Sequence, residues 1–185
     1  MDDLKEVQTQ TWSVDKAHSK MVFAARHMVI SEVQGQFDSY DIRISQTGDK
    51  VEDKNIEVEI DVNSINTGNP DRDNHLKSTD FFESEKYPKI IFKSKSIKKI
   101  DDENYKLTGD FTIKNITKEL ELDVSYGGQI ADPWGNNRAG FAVRGSINRF
   151  DFDLKWNNLI ETGGAVVGKT IKLICDIELV QPNNQ

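Results

Sequence analysis

The sequence predicts an all-β protein, an up-and-down antiparallel barrel interrupted by one or two short helices. Three observations carry this expectation. Apolar residues recur at every second position in run after run, as in strands with one buried face. Residues suited to turns separate the runs. The runs are roughly ten residues long, which fits a barrel better than a sandwich of short strands. A chain of 185 residues, 36% apolar and 30% charged, can bury a single core, so one domain is expected. It is placed at residues 12–181, between an N-terminal extension (1–11) and a C-terminal tail (182–185).

The elements follow in chain order. His27–Glu32 reads as a short helical or turn element. Ile56, Val58, Ile60 and Val62 alternate with Glu57, Glu59 and Asp61. Residues 69–78 break the pattern. Asn69 suits an N-cap, Pro70 the first helical position, and Asp71 and Asp73 the first turn, so a short helix is predicted there, able to cover one end of the barrel. The aromatic pair Phe81-Phe82 follows it. Lys93 to Lys99 alternates with Ser and Ile, as on the solvated face of a strand. Tyr105, Leu107, Phe111 and Ile113 form the next run, with Gly109 on the apolar side. A hairpin is expected at Lys114-Asn115-Ile116-Thr117, with Asn115 taking the positive φ. Leu120, Leu122 and Val124 follow, then a longer loop through Gly127-Gly128 and Asp132 to Asn137. Ala139, Phe141, Val143 and Ile147 form another run. Asp151 and Asp153 are read on one strand face, in an exposed ion-pair row with Arg149 and Lys155. Gly163-Gly164 precede the longest run, Ile171, Leu173, Cys175, Ile177 and Leu179, in which Cys175 reads as a buried, inert thiol.

Composition excludes several functions. With 24 basic against 31 acidic residues and a net charge of −7, the chain lacks the basic surplus that phosphate-neutralising proteins show, so no nucleic acid partner is expected. No apolar run approaches the roughly 20 residues of a membrane span, so no stable membrane insertion is expected. A single cysteine excludes an intramolecular disulfide. Met1 to Val7 shows neither a basic n-region nor an apolar h-region, which points to the cytoplasm, or to an extracytoplasmic site if a native leader has been removed.

Catalytic motifs are sparse. His18, His27 and His75 are scattered, and the sequence has no metal-binding His or Cys pair, no nucleophile elbow and no phosphate-binding loop. Neither a catalytic residue nor a metal is therefore assigned. The nine Phe and three Trp are more informative, since most Phe fall on the inward faces. An eight-stranded barrel is just wide enough to be plugged by side chains or to hold one slim ligand. Periodicity leaves both options open.

The segments outside the repeats narrow the choice. They are Trp12 to Ser19, Phe23 with Arg26-His27, Gly35-Gln36-Phe37, the block from Arg72 to Phe82 leading to Tyr87-Pro88-Lys89-Ile90-Ile91-Phe92, Leu107 to Ile113 with Thr117-Lys118, and Ile147-Asn148-Arg149 before Asp151-Phe152. In this order and spacing the chain closely resembles the YceI-like family of bacterial polyisoprenoid-binding proteins, from Trp12 to about Val180. The resemblance implies an extended, eight-stranded, lipocalin-like barrel around an apolar tunnel, and a homodimer. It also implies a non-catalytic carrier with no required cofactor, whose ligand is an isoprenoid lipid, a quinone or a similar amphiphile such as a polyprenyl phosphate or fatty amide. Two positions depart from the family pattern: Asp153 and Asn115 stand where Gly is usual.

In such a carrier Met21, Phe23, Phe37, Phe92, Phe111 and Phe141 would line the tunnel, with Phe81 beside them. Head-group contacts are expected from His27, Arg72 and His75, at the interruptions of the strand pattern. Arg72 has an alternative role, pinning the helix through Asp71, Asp73 or Asp80, and His18 is expected to tie a strand end. Two other functions remain open: an enzyme acting on a small amphiphile, with His27 or His75 as general base within reach of a carboxylate or the ligand, and a filled barrel acting as an interaction scaffold. Phe23→Trp or Phe111→Trp should separate the carrier from the scaffold by blocking uptake.

Overall fold

The computed structural model describes residues 12–46, 48, 50–158 and 166–182. The expected extension (1–11), most of the tail and the Gly163-Gly164 turn lie outside them. Among the described residues the alternating runs become one antiparallel sheet of eleven strands, three more than expected. They are β1 (Ser13–Val14), β2 (Lys20–His27), β3 (Ser31–Phe37), β4 (Tyr40–Gln46), β5 (Lys54–Asp61), β6 (Ile65–Asn66), β7 (Lys89–Lys99), β8 (Asn104–Ile113), β9 (Ile116–Ala131), β10 (Asn137–Asn148) and β11 (Val167–Gln181). Two of the three extra strands are the two-residue pieces β1 and β6, the latter set off from β5 by a single-turn 3₁₀ segment, Val62–Ser64.

Neighbours run β4-β5-β7-β8-β9-β10-β11-β2-β3-β6, with β1 paired to β11. The chain passes directly from β3 to β4, and from β5 to β6, so both connections join the opposite edges of the sheet. They meet at one corner, where Asp38 N donates to Ser64 O, Ser39 N to Ser64 Oγ, and Asp61 N to Ser39 O. Farther along, Trp12 bridges to Ile44 on β4 while β1 holds β11. Unpaired edge groups are thereby covered, and the sheet curls around one apolar interior. Its inner wall alternates as expected: Ile171, Leu173, Cys175, Ile177 and Leu179 all face inward, as do Leu120, Leu122 and Val124. The Lys93–Lys99 face is solvated, with Lys93 on Glu57 and Lys95 on Asp110 and Glu119.

The helix α1 (Pro70–Lys77) forms where the capping signal lies, and the Asn69 side chain accepts from Arg72 N at 3.0 Å. His27–Glu32 is a tight β2–β3 turn, not a helix. Met28 and Val29 take positive φ (49° and 68°), and Ile30 at its tip is 85% exposed. At the β8–β9 hairpin the positive φ falls on Lys114 (55°) and not on Asn115. Gly127 and Gly128 belong to β9, not to a loop. The register slips there, with Gly128 opposite Gly140 and Tyr126 opposite Phe141, and Gly128 has φ +102°. This is a bulge that lets the longest strand bend.

The expected ion-pair row at 149–155 is corrected more deeply. Arg149–Phe152 is a 3₁₀ turn closed by Asp153 at φ 59°, ψ 28°. This left-handed position favours glycine, and an aspartate is among the better substitutes. Asp153 does pair with Lys155, at 2.8 Å. Arg149 does not face solvent at all: it is 2% exposed and its guanidinium donates to the carbonyls of Leu154, Trp156, Val167 and Gly168. Among the described residues it forms no ion pair, and it stacks on Phe150 at 4.6 Å.

A second arginine organises the opposite end. Arg138 donates to Asp15 (2.6 Å), Asp132 (2.8 Å) and Glu178 (2.6 Å). Arg138 and then His18 hold the Asp15 carboxyl down at about 2. Burial pushes Asp132 up, but Arg138, Asn136 and the Asn136 and Trp134 amides outweigh it and leave it also at about 2. Because the unfolded chain takes up these protons near 3.8, the stabilisation is complete above that pH and is lost as pH falls toward 2. Arg138→Met is therefore expected to raise the acid-unfolding midpoint by about one pH unit, read by circular dichroism. Coincident acid curves would refute this role.

Candidate ligand-binding site

The inward alternation leaves a cavity of about 260 Å³ along the barrel, lined almost wholly by carbon. The structure brings Met21, Phe23, Phe37, Phe81, Phe92, Phe111 and Phe141 onto its wall. The rings do not plug it, because they are seated on or beside the wall. The Phe23 ring lies over Gly35 and the Phe92 ring over Gly109, so closely that a Cβ at either glycine would sit 2.5 Å from a ring carbon. This is why Gly109 stands on the apolar side of its run. Phe111 meets Phe152 edge-on at 5.6 Å, and Phe23 meets Phe37 at 5.5 Å. Cys175 also lines the wall, and burial pushes its thiol up to about 11, so it stays protonated and unreactive at neutral pH.

The two ends of the cavity differ. At the α1 end the lining residues are Leu76, Phe81, Phe82, Leu154 and the buried Arg149. Arg149 spends its donors on backbone carbonyls, which fixes the 153–157 segment against the start of β11. At the other end Val51, Lys54, Phe141 and Leu179 line both this cavity and an adjoining, mostly polar one of about 310 Å³. That vestibule adds Trp12, Tyr126, Gln129, Asn137 and Gln181, and among the described residues carries no carboxylate on its lining. Lys54 Nζ lies 5.7 Å from the Trp12 ring centroid. Burial pulls the Lys54 ammonium below its ordinary value, while the neighbouring Asp53 charge partly restores it.

The expected head-group residues are not on this cavity. Arg72 is tied to Thr67, donating to its hydroxyl at 2.8 Å and its carbonyl at 2.9 Å, while Asp73 accepts from the Thr67 amide and hydroxyl. It pins the helix, as the alternative supposed, but through a threonine and not an aspartate. His75 hydrogen-bonds Asp80 at 2.8 Å, with its ring edge-on to Phe81 and Trp156. A histidine within reach of a carboxylate is thus present, yet the pair lies outside the cavity. His27 ends β2 beside the turn at 28–30 and does not line the cavity either. All three sit where the strand pattern breaks, and there Arg72 and His75 are spent on contacts within the 67–80 segment.

The residues that sequence reasoning missed had a readable signal. Lys54 continues the inward series Ile56, Val58, Ile60. Tyr126 continues Leu120, Leu122, Val124, and Gln181 continues Ile177, Leu179. Asn137 precedes Ala139 and Phe141 in the same phase. Polar residues reached by extending an apolar alternation belong to the mouth of a barrel.

His18 ties the 15–18 turn through Asp15 at 3.0 Å, as expected. Asp15, His18 and Glu178 place potential ligand atoms within 4.8 Å of one another. Arg138 already donates to both carboxylates, however, and supplies the positive charge a metal would bring.

The sequence model of the YceI-like domain matches residues 12–179. The chain belongs to the YceI-like family. Among its relatives, the UPF0312 protein SA2479 of Staphylococcus aureus is 38% identical over 168 residues, covering 90% of this chain and 95% of that protein. The crystallised Campylobacter jejuni YCEI protein is 34% identical, with a TM-score of 0.73 over 85% of this chain and 90% of that one. Two more distant structures share the YceI fold. Burkholderia cenocepacia BcnA has 21% identity and a TM-score of 0.77, covering 89% of this chain and 98% of its own. A polyisoprenoid binding domain from Saccharophagus degradans, implicated in plant cell wall breakdown, has 15% identity and a TM-score of 0.66, covering 95% and 100%. This YceI-like chain has, among its described residues, no helix long and apolar enough to cross a membrane.

Proposed function

We propose that this YceI-like protein is a non-catalytic carrier of a long-chain isoprenoid lipid or similar amphiphile, held with its chain along the apolar cavity. The observation that carries this reading is a carbon-lined cavity inside the barrel that shares Val51, Lys54, Phe141 and Leu179 with an adjoining polar vestibule. Its lining suits a chain and offers almost nothing to a polar substrate. Membership of the YceI-like family and the polyisoprenoid-binding description of the S. degradans relative support the same reading. Each buried methylene contributes about 0.8 kcal/mol, so a long chain supplies ample gross affinity even after the cost of immobilising it. Chain length would be read by cavity length, and the head group by whatever polar residues meet its end.

The test is native mass spectrometry of gently purified protein, followed by solvent extraction and lipid identification. The expected result is an adduct of defined mass that solvent releases as a prenyl lipid, quinone or fatty amide. A polypeptide that stays bare after incubation with quinones and polyprenyl phosphates would defeat the proposal and leave the barrel as a scaffold.

A further inference from the structure

The polar vestibule is selective in composition, and its far rim is tied by a hydrogen bond from Asn137 to Gln181. It holds a partly buried lysine on an inward-facing position, an indole and three side-chain amides, and among the described residues its lining has no acid. Trp12 is 6% exposed, and its Nε1–H is buried with no hydrogen-bond partner among the described residues. An unmet buried donor is costly, and such groups call for an explanation. The Lys54 ammonium lies over the same indole. Both line a space that shares Val51, Lys54, Phe141 and Leu179 with the apolar cavity.

We infer that the vestibule is the head-group subsite, and that Lys54 and Trp12 receive an anionic oxygen, a phosphate or carboxylate, at the end of the bound chain. The inference rests on the carrier reading and adds polarity and orientation to it. The chain enters tail-first toward Arg149 and α1, while the head group stays at the β1–β5 end. This reverses the orientation that Arg72 and His75 suggested. A charge-assisted bond from an ammonium is roughly twice as strong as a neutral one, and it gains further where the surroundings are partly desolvated. Asn137 and the two glutamines can donate to the remaining oxygens. An aliphatic alcohol offers neither the charge nor several acceptor oxygens.

The experiment measures binding of phytol, phytanic acid and phytyl phosphate, which share one branched chain, to the full-length protein by intrinsic fluorescence and native mass spectrometry. The wild type is expected to prefer at least one of the two anions over the alcohol by about tenfold. Lys54→Met, which keeps the stem and removes the charge, is expected to erase that preference while changing phytol affinity less than about twofold. Trp12→Phe should weaken the same anion by a few-fold, and Lys54→Met keeps the test decisive if that variant folds poorly. The acid and the phosphate reveal which anion the subsite suits. Equal losses for all three ligands in Lys54→Met, or no anion preference in the wild type, would overturn the head-group assignment, as would a selective loss in Arg72→Met. Failure of all three to bind the wild type would instead remove the carrier reading beneath it.

Discussion

Arg149→Met is expected to lower stability by about 3 kcal/mol, a fall in Tm of roughly 10 °C for a domain of this size. The arginine is buried, and its guanidinium serves the carbonyls of Leu154, Trp156, Val167 and Gly168. Burial without a carboxylate pulls its pKa down, so the charge itself is held at a cost. The multiple hydrogen bonds offset that cost. Removing the side chain leaves buried carbonyls unsatisfied at about 1–3 kcal/mol each, reduced by relief of the desolvation. Arg149→Lys should recover little, because an ammonium cannot reproduce the planar fork. Thermal and urea unfolding check this, and a Tm within about 2 °C of wild type would show that the contacts contribute nothing net.

Val143→Trp is expected to abolish lipid uptake, weakening it more than tenfold, while the protein remains folded. Val143 lines the cavity on β10, opposite Val124 and Cys175, so an indole there has empty space to enter. Overpacking a filled core typically costs about 1–3 kcal/mol, and the cavity keeps this substitution at the low end. The tryptophan positions suggested by sequence are poorer choices. Phe111 already meets Phe152, and the Phe23 ring is seated on Gly35, so enlarging either strains the wall as well as filling the lumen. Native mass spectrometry with a polyprenyl phosphate reads the outcome. Undiminished uptake by a folded Val143→Trp would place the ligand outside the barrel.

The strands were legible because period-two alternation is a property of each segment alone, and α1 was legible because Asn69-Pro70 is a local capping signal. The 3₁₀ turn at 149–152 was not. Ile147, Asn148 and Arg149 continue the spacing of a strand, and only the left-handed Asp153 ends it. Arg149 was assigned to the surface on its charge, whereas its partners are carbonyls on β11 and the 154–156 segment, distant in sequence and without side-chain signature. The cavity wall was readable from the inward phenylalanines, but the seating of Phe23 and Phe92 depends on glycines across the sheet. The polar vestibule is hard to read because it is built not by the irregular segments that carry Arg72, His75 and His27 but by regular strands running past their apolar stretch.

Those seated rings have a consequence for how such a barrel diversifies. Where Phe23 rests on Gly35 and Phe92 on Gly109, the bore of the lumen is set by residues a ligand never touches. An alanine at Gly35 would displace the Phe23 ring and alter the channel at that level, whereas one at Gly109 would also meet the Lys93 carbonyl and shift the backbone of the wall. Girth selection, straight chain against methyl-branched, can thus drift by single steps in the wall while the lining itself stays unchanged.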